Sequence, residues 1–441
     1  MRTCTTLTFL ALSLTACSDG SPADETPAED TSTAAETTAS DATDTESESE
    51  SESESESSGG DESSTGETEP DFAALEDELG TILSDAGAPG MAVGIVKGDT
   101  VVWTAGFGTR DLGSMAPVGT DTAFRLGSIS KTFVGVAMMR AQEMGIIDLD
   151  DVIEVPFSVD NPHARDEQIT YRSLAQHRSG IVDTLWYECA YTSEDGSAYA
   201  LPDQQKFCPE TPMPGLEEYL AAYLDPAGEM YTEENYADGP DAEPGTTYEY
   251  SNIGAGLASA SLGYATQDAL GQDFIAFTNA EVFGPLGLEH TRWMRDELPD
   301  PDSAAVPHMY EDGFVPIPRY NLSTFADGAL YSSVDDLSRY LAAIVPGEGS
   351  LPGATVLQPD SIAEMLDFVD LGDGDGQGIY WEFFLGMTGH TGGDPGVATA
   401  MGYDAETDVG LVILLNSTGP NTETLMLQVF ESLLSFSNQA L

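Results

Sequence analysis

Residues 127–144 have the sequence GSISKTFVGVAMMRAQEM, in which Ser128 stands at the start of a long apolar stretch. The apolar side chains recur at helical spacing, so the stretch predicts a buried helix that begins near this serine. Lys131 follows three residues later, and positions i and i+3 lie on one face of a helix. The sequence therefore predicts a hydroxyl and an amine side by side at the start of a buried helix.

This pair has a catalytic and a structural interpretation. A serine hydroxyl is a poor nucleophile until a base removes its proton, and a lysine in dry surroundings can lose its charge and become that base. In the structural interpretation, Ser128 only caps the helix and the lysine is solvated. The catalytic interpretation is favoured because the chain has three lysines, Lys97, Lys131 and Lys206, and Lys131 lies among apolar residues.

Strand patterns lie towards both ends of the chain, at 91–96, 101–107, 398–403 and 409–415. Helical patterns lie at 72–86, 128–144, 169–180, 216–224, 252–265, 334–344 and 423–434. The predicted fold class is α/β (α+β). One antiparallel sheet is formed from N- and C-terminal strands flanked by helices, and a mostly helical subdomain is inserted between them.

A second motif, Tyr250-Ser251-Asn252, follows a turn at Pro244-Gly245. A tyrosine phenol can relay a proton if cations lower its pKa. An asparagine amide two residues later can hold a substrate amide and the lysine. The alternative is a plain turn followed by a helix that Asn252 caps.

A third motif is Gly389-His390-Thr391-Gly392-Gly393-Asp394. Paired glycines let the edge of a strand approach a ligand closely. A backbone N–H in this motif and another at the start of the Ser128 helix could stabilise an oxyanion. The alternative is a glycine-rich entry into a hairpin.

Together the three motifs resemble those of the β-lactamase-related serine hydrolases, a family with class C β-lactamases, D-alanyl-D-alanine carboxypeptidases, D-amino-acid peptidases and esterases. The family order is Ser-x-x-Lys, Tyr-x-Asn and Lys/His-Thr/Ser-Gly. This chain has Ser-Ile-Ser-Lys, Tyr-Ser-Asn and His-Thr-Gly in that order, and the resemblance covers about residues 72–435. It implies a β-lactamase/transpeptidase-like fold.

The resemblance also implies a role for each motif residue. Ser128 would be acylated, and Lys131 and Tyr250 would share the acid and base work. The backbone N–H groups of Ser128 and Gly393 would form the oxyanion hole, and water would release the acyl group. The substrate would bind against Asn252, His390, Thr391 and Gly392. No metal and no organic cofactor is implied.

His390 stands where class C β-lactamases carry lysine, so efficient β-lactam hydrolysis is in doubt. The histidine form favours a D-alanyl-D-alanine carboxypeptidase-like enzyme that acts on a small-molecule or peptidoglycan stem-peptide substrate. The alternatives are a carboxylesterase or a weak class C-like β-lactamase on the same residues. An alternative of another class is a catalytically silent cell-wall-binding lipoprotein.

The first 70 residues differ from the rest of the chain. Residues 1–16 have the pattern of a signal peptide, and Leu14-Thr15-Ala16-Cys17 resembles a bacterial lipobox, in which the cysteine is lipidated after cleavage. An ordinary signal with a chance cysteine is the alternative. Residues 17–70 predict a disordered acidic Ser/Glu linker, and residues 71–441 the hydrolase domain. We expect an exported protein, lipid-anchored to a bacterial cell membrane on its periplasmic or cell-surface face.

The formal net charge of −63 argues against nucleic acid as a partner and against direct adsorption to anionic lipid. Residues 18–70 hold 18 of the 77 acidic residues, so most of this charge lies on the domain itself. A domain this acidic repels itself unless salt screens the charge, which suggests a saline habitat. The domain is expected to be a monomer.

Cys189 and Cys208 lie close together in a polar stretch, and in an exported protein they predict a disulfide rather than half of a metal site. They belong to residues 183–243, which look longer than the usual connection before Tyr-x-Asn in the family. This insertion could form a wall of the cleft or decorate the surface. The remaining histidines have plain interpretations: His177 supports structure, and His163, His290 and His308 lie in loops or at the surface.

Overall fold

The computed structural model describes residues 70–165, 168–199, 207–239, 242–345, 350–351 and 354–441. The predicted signal peptide, Cys17 and the acidic linker up to residue 69 lie outside the described residues, as does Lys206. Within the described ranges, no helix is both long enough and apolar enough to cross a bilayer.

The helices and strands follow one another along the whole described chain. The α-helices are α1 Phe72–Ala86, α2 Ser130–Glu143, α3 Tyr171–Ala175, α4 Leu216–Leu224, α5 Asn252–Leu270, α6 Phe274–Thr278, α7 Gly284–Leu286, α8 Val334–Ile344, α9 Pro359–Met365 and α10 Thr422–Ala440. Short 3₁₀ helices that bear on the site are Gly127–Ile129, Leu185–Ala190 and Phe325–Asp327. The strands are β1 Gly90–Lys97, β2 Thr100–Asp111, β3 Ala116–Pro117, β4 Phe124–Arg125, β5 Tyr191–Ser193, β6 His308–Tyr310, β7 Phe314–Pro316, β8 Tyr320–Leu322, β9 Tyr331–Ser332, β10 Ser350–Leu351, β11 Ala354–Thr355, β12 Val369–Gly372, β13 Asp375–Gln377, β14 Glu382–Phe384, β15 Met387–Asp394, β16 Val397–Asp404, β17 Val409–Leu415 and β18 Ser417–Thr418.

The main sheet combines strands from both ends of the domain. Within the described residues it has nine strands in the order β12-β13-β14-β15-β16-β17-β1-β2-β3, and each neighbouring pair is antiparallel. N-terminal β1 lies beside C-terminal β17, with Met91 opposite Leu415 and Lys97 opposite Val409. The predicted fold class, an antiparallel sheet of N- and C-terminal strands, is confirmed.

Both faces of this sheet are covered by helices. Successive side chains of β1 point to opposite faces, so this strand contributes to two cores. Met91, Val93 and Ile95 pack in one core with apolar residues of α1 and α10. Ala92 and Val96 belong to the other, larger core, to which α2, α5 and α8 also contribute. Strand β17 is therefore apolar along its whole length and β1 up to Lys97, as expected for strands buried on both faces.

Helix α2 lies deep in the larger core and is preceded by the 3₁₀ turn Gly127–Ile129. Ten of its residues besides Lys131 are buried, so the lysine enters an apolar environment from the first turn of the helix. The helix predicted to begin near Ser128 is thus a 3₁₀ turn that continues as an α-helix. This turn carries the serine to the surface of the core while the lysine stays inside.

The helix predicted at 169–180 is shorter in the structure. Helix α3 ends at Ala175, because His177 has a φ of 53° and Gly180 a φ of 75°, and these left-handed conformations cannot continue a helix. The helix predicted at 252–265 is longer, and α5 runs on until Gly271, with a φ of 73°, ends it.

Candidate active site

The 3₁₀ turn of Ser128 packs directly against β15. Gly127 has a φ of 56°, and a Cβ atom placed on it would lie 2.9 Å from the backbone nitrogen of Gly393. Any side chain at position 127 would separate the turn from the strand. A Cβ on Gly392 would likewise overlap the carbonyl group of Leu126. The glycines therefore bring the partly exposed Ser128 to the edge of β15, beside the exposed backbone of Gly393.

Lys131 is 0% exposed and has three hydrogen-bond partners. Its Nζ atom lies 3.1 Å from Ser128 Oγ, 2.7 Å from Asn252 Oδ1 and 2.7 Å from the carbonyl oxygen of Asp327. Burial lowers the pKa of Lys131 below its usual value, although the carboxylates of Asp327 and Asp183 act in the opposite direction. The amine is thus buried, oriented and shifted towards its neutral form.

The ring of Tyr250 lies close to this amine. The Lys131 nitrogen is 5.0 Å from the centre of the Tyr250 ring, and that ring stacks on His177 at 4.2 Å. Burial raises the pKa of Tyr250 well above 10, and a hydrogen bond with the Ser128 side chain only partly opposes this. The condition set from the sequence, a phenol pKa lowered by nearby cations, is therefore not met, because burial and then the Glu382 carboxylate raise the pKa of this phenol.

The start of α5 explains the spacing of the second motif. Ser251, not Asn252, is the N-cap, since its Oγ accepts a hydrogen bond from the Gly254 N–H at 2.9 Å. The alternative in which Asn252 caps the helix is wrong, and its amide is free to contact Lys131. His177, which was expected to support structure, accepts a hydrogen bond from the Ser251 N–H at its Nδ1 atom, 3.1 Å away.

The third motif lies on β15, with His390 buried and Thr391 partly exposed. The Nδ1–H of His390 donates to the Thr391 carbonyl oxygen at 2.6 Å. Its Nε2 atom lies 3.6 Å from Glu382 Oε1 on the neighbouring strand β14 and has no hydrogen-bond partner among the described residues. Burial lowers the pKa of His390, and the Glu382 carboxylate opposes this shift only partly. The imidazole is therefore neutral at neutral pH.

Several residues of the site were not predicted from the sequence. Asp183 accepts hydrogen bonds at the start of α5, and the buried carboxyl of Asp327, whose pKa burial raises to about 7, lies next to Lys131. Arg125 Nε and Asp394 Oδ2 form a buried ion pair at 3.0 Å below the Ser128 turn. Asp394 closes the third motif, but no local signal separates the buried carboxyl groups of Asp183 and Asp327 from the many acidic residues at the surface.

Other sequence expectations lie away from the site centre. Cys189 and Cys208 are joined, with 2.04 Å between their sulfur atoms. His308 is fully buried and was wrongly placed at the surface, because β6 packs its ring against the Asn416 carbonyl oxygen, 3.1 Å from Nδ1. No group of three or more His, Cys, Asp or Glu side chains in the described part of the chain could hold a metal ion.

The geometry of the three motifs agrees with what comparisons with known proteins find. The family model described as "Beta-lactamase" matches residues 72–430. The chain belongs to the beta-lactamase family. Within this family, it is 26% identical over 385 residues to the putative beta-lactamase-like 1 of Homo sapiens, which covers 81% of this chain and 67% of that protein. It is also 26% identical over 312 residues to a beta-lactamase of Yersinia enterocolitica, covering 70% of this chain and 68% of the relative.

Other matches are more partial or concern the fold. Protein flp of Staphylococcus aureus is 23% identical over 57% of this chain, and the match spans only 45% of flp. The penicillin-binding protein homologue from Pyrococcus abyssi superposes with a TM-score of 0.65 at 25% identity, covering 83% of this chain and 78% of that one. A D-amino acid amidase from Ochrobactrum anthropi (TM-score 0.61, 20% identity, 83% and 100% covered) and a class C beta-lactamase (0.59, 18%, 82% and 96%) share the fold.

Proposed function

We propose that this member of the beta-lactamase family is a serine hydrolase that works through an acyl-enzyme on Ser128, with small amides or esters as substrates. The observation that carries the proposal is the Lys131 amine, which is fully buried and held within hydrogen-bond distance of the Ser128 hydroxyl. A solvated lysine beside a helix cap would have neither property.

The partners of Lys131 orient its lone pair. A neutral amine has two N–H groups and one lone pair. The side-chain oxygen of Asn252 and the backbone carbonyl oxygen of Asp327 can only accept hydrogen bonds. Both N–H groups therefore point to these two oxygens, and the lone pair faces the Ser128 O–H. When Ser128 Oγ forms a bond with the substrate carbonyl carbon, its proton can pass directly to the Lys131 nitrogen.

The remaining steps use Tyr250 and the backbone. The negative charge on the carbonyl oxygen would be stabilised by the N–H groups of Ser128 and Gly393. Tyr250, a protonated phenol, would donate its proton to the leaving nitrogen or oxygen as that bond breaks, and take the proton held by Lys131. Water would then attack the acyl carbon and lose a proton to Lys131, and the released Ser128 oxygen would regain one.

The first candidate for the substrate is a stem peptide that ends in D-alanine, as for a D-alanyl-D-alanine carboxypeptidase. The motif form His390-Thr391-Gly392 supports it, as does the expected export of the protein and its anchoring to a membrane through lipid on Cys17. The likeness to a penicillin-binding protein homologue is consistent with this candidate. A carboxylesterase or a weak beta-lactamase would use the same residues.

One contact favours a second candidate, an amidase or esterase for substrates without a carboxylate near the scissile bond. Glu382 Oε1 lies 3.6 Å from His390 Nε2, and the neutral imidazole does not compensate this carboxylate. A substrate carboxylate that binds along β15 would therefore meet a like charge, whereas an ammonium group would be attracted. The D-amino acid amidase with the same fold is named for a substrate of this second kind.

The two candidates are separated by a small panel of substrates tested on the chain and on Ser128→Ala. The panel contains a peptide ending in D-alanyl-D-alanine, a D-amino acid amide, an uncharged p-nitrophenyl ester and a penicillin. Release of D-alanine supports the first candidate, and release of ammonia or nitrophenol the second. If no substrate is turned over faster by the chain than by Ser128→Ala, the proposed hydrolase activity is wrong and the silent wall-binding alternative gains support.

A further inference from the structure

Part of the insertion at 183–243 reaches the base of the site. We call residues 183–191 the positioning segment; they include the 3₁₀ helix Leu185–Ala190 and the first residue of β5. Three of its side chains, those of Asp183, Tyr187 and Tyr191, contact the groups that surround Lys131 and Ser128. The sequence left open whether the insertion forms a wall of the cleft or decorates the surface. This segment does neither, because its side chains contact the residues that surround the Lys131 amine and the Ser128 turn.

Asp183 holds the start of helix α5. Its Oδ2 atom accepts a hydrogen bond from the Asn252 N–H at 2.7 Å, and its Oδ1 atom accepts from the Ser251 hydroxyl at 2.8 Å and from the Ile253 N–H at 3.1 Å. These contacts fix the backbone of Asn252, whose side-chain oxygen lies 2.7 Å from the Lys131 nitrogen. One carboxylate thus orients the first acceptor of the amine.

Tyr187 holds the second acceptor. Its hydroxyl donates to Asp327 Oδ2 at 2.8 Å, and the carbonyl oxygen of the same aspartate lies 2.7 Å from the Lys131 nitrogen. Besides Tyr187, Thr324 donates to Oδ2 at 2.9 Å, while Oδ1 has no partner among the described residues. The Tyr187 hydroxyl is therefore one of two donors that fix this buried carboxyl group.

Tyr191 extends the contact to the strand of the third motif. Its hydroxyl donates to Asp394 Oδ1 at 2.5 Å, and the other oxygen of Asp394 pairs with Arg125, three residues before Ser128. Asp394 directly follows Gly393 at the end of β15. The segment thus reaches both sides of the Ser128 turn.

The positioning segment is itself held from behind. From α4, the Tyr219 hydroxyl donates to the Trp186 carbonyl oxygen at 2.7 Å, and the Tyr223 hydroxyl accepts from the Thr184 N–H at 2.8 Å. The disulfide from Cys189 to Cys208 joins the segment to the later part of the insertion. Because the segment is held by these contacts, the side chains of Asp183, Tyr187 and Tyr191 have fixed positions in the site.

We propose that Asp183 and Tyr187 are positioning residues that orient the Lys131 amine towards Ser128, through Asn252 and Asp327 respectively. This inference rests on the proposed acyl-enzyme function of Ser128. Neither residue touches the substrate in this account. Each acts through one of the two acceptors that leave the lone pair of the amine facing the hydroxyl.

The test is the rate at which a fluorophosphonate probe labels Ser128, because this probe reports activation of the serine for any substrate class. We expect Tyr187→Phe to lower the labelling rate about tenfold. Tyr199→Phe is the matched control, since Tyr199 is a buried tyrosine of the same insertion whose hydroxyl donates to the Pro318 carbonyl oxygen, away from Lys131. Its labelling rate should equal that of the unmodified chain.

A second variant separates positioning from general damage to the fold. The Asp183 carboxylate raises the pKa of Lys131, so Asp183→Asn should lower the rate and also move the rising part of the pH–rate profile to lower pH. A lower folded fraction alone would reduce the amplitude without moving the profile.

Each result bears on a different claim. If the unmodified chain is labelled, but Tyr187→Phe reacts as fast as Tyr199→Phe and Asp183→Asn keeps its profile, the positioning role is wrong and the proposed function stands. If the unmodified chain is not labelled at Ser128 at all, the proposed function is wrong and the positioning role falls with it.

Discussion

Lys131 is the residue on which the chemistry depends, and its surroundings set both its position and its charge. A lysine at the surface would be charged at neutral pH and could not accept a proton. Here burial lowers its pKa, and acceptor oxygens from α5 and from the 3₁₀ helix Phe325–Asp327 orient it. The carboxylates around it, those of Asp327 and Asp183 first, limit how far the pKa falls.

This arrangement predicts the pH dependence of acylation. The reactive form contains neutral Lys131, so the labelling rate of Ser128 should rise with pH around the lowered pKa of this lysine. The rate should reach a plateau before pH 10.5, which is the ordinary pKa of a lysine. The rate of fluorophosphonate labelling between about pH 5 and pH 11 measures this. A profile that still rises steeply through 10.5 would mean that the amine has an ordinary pKa and is not held as the structure has it.

Glu382 is predicted to select the charge of the substrate. Glu382→Gln should raise kcat/KM for a peptide ending in D-alanyl-D-alanine by roughly tenfold, about 1.4 kcal/mol, because a like charge near the substrate carboxylate is removed. The same change should lower kcat/KM for a D-amino acid amide and leave an uncharged ester unaffected.

The control for this change is Glu311→Gln, which removes a charge from the exposed turn between β6 and β7. It should leave the ratio between the two charged substrates unchanged. Equal effects of the two substitutions would show that only the overall charge matters, and an unchanged ratio in Glu382→Gln would show that this carboxylate does not face the substrate.

The residues of the site differ in how far the sequence could reveal them. Ser128 and Lys131 stand in one short motif with fixed spacing, and Tyr250 and Asn252 in another, so the proximity within each pair could be predicted. That the two motifs meet, although Lys131 and Asn252 are 121 residues apart, was predicted only from the resemblance to the family. The contacts of Asp183 and Tyr187 join positions that are 69 and 140 residues apart in the chain, and no periodicity connects such positions. Their roles follow only from burial and hydrogen bonding in the folded domain.

The elements were predictable where their pattern is uninterrupted. Helix α8 and strand β17 have the bounds predicted from the sequence, because the first alternates cleanly at helical spacing and the second is a continuous apolar run. Strands β12 and β13 were missed, because residues 370–378 are rich in Asp and Gly and show no strand pattern, and β14 was missed because it has only three residues. They form through pairing with one another and with β15.

The packing of α8 on β1 makes a prediction about stability. A Cβ on Gly94 would overlap the Ser338 hydroxyl, so Gly94→Ala should lower the free energy of unfolding by about 1–3 kcal/mol. Ser338→Ala should be neutral or stabilising alone, since its hydroxyl is buried without a hydrogen-bond partner in the described part of the chain.

Urea unfolding of the single and double variants tests this pair. The double variant should recover part of the stability that Gly94→Ala loses, because the overlapping oxygen is gone. Strictly additive effects would show that helix and strand adjust independently at this contact.

The charge of the whole molecule imposes a further condition on folding. With 59 acidic residues against 13 Lys and Arg in residues 71–441, the folded domain concentrates negative charge that the unfolded chain spreads out. Stability should therefore rise when salt screens this repulsion, because the Debye length falls from about 30 Å at 0.01 M to about 3 Å at 1 M. The same field should slow the approach of anionic substrates, in line with the second candidate function.

The melting temperature of the protein in 0.01 M and 1 M sodium chloride measures this effect. We expect an increase of a few degrees, since a gain of 1 kcal/mol in the free energy of unfolding corresponds to roughly 2–4 °C for domains of 150–250 residues and to less for a longer one. Choline chloride at the same concentrations is the control, because screening depends on ionic strength and should raise the melting temperature with either cation. A melting temperature that is constant or lower at high salt would contradict both the electrostatic account and the saline habitat inferred from composition.

The role of Ser128 as the nucleophile is tested most directly by the intact mass of the protein after reaction with the fluorophosphonate probe, which phosphonylates an activated serine with loss of fluoride, with Ser128→Ala treated in parallel. We expect one adduct per chain, mapped to Ser128 by peptide mass spectrometry, and none in the variant. An adduct that persists in Ser128→Ala would contradict this role of Ser128. So would the absence of an adduct on the protein without substitutions when circular dichroism shows that its fold is intact.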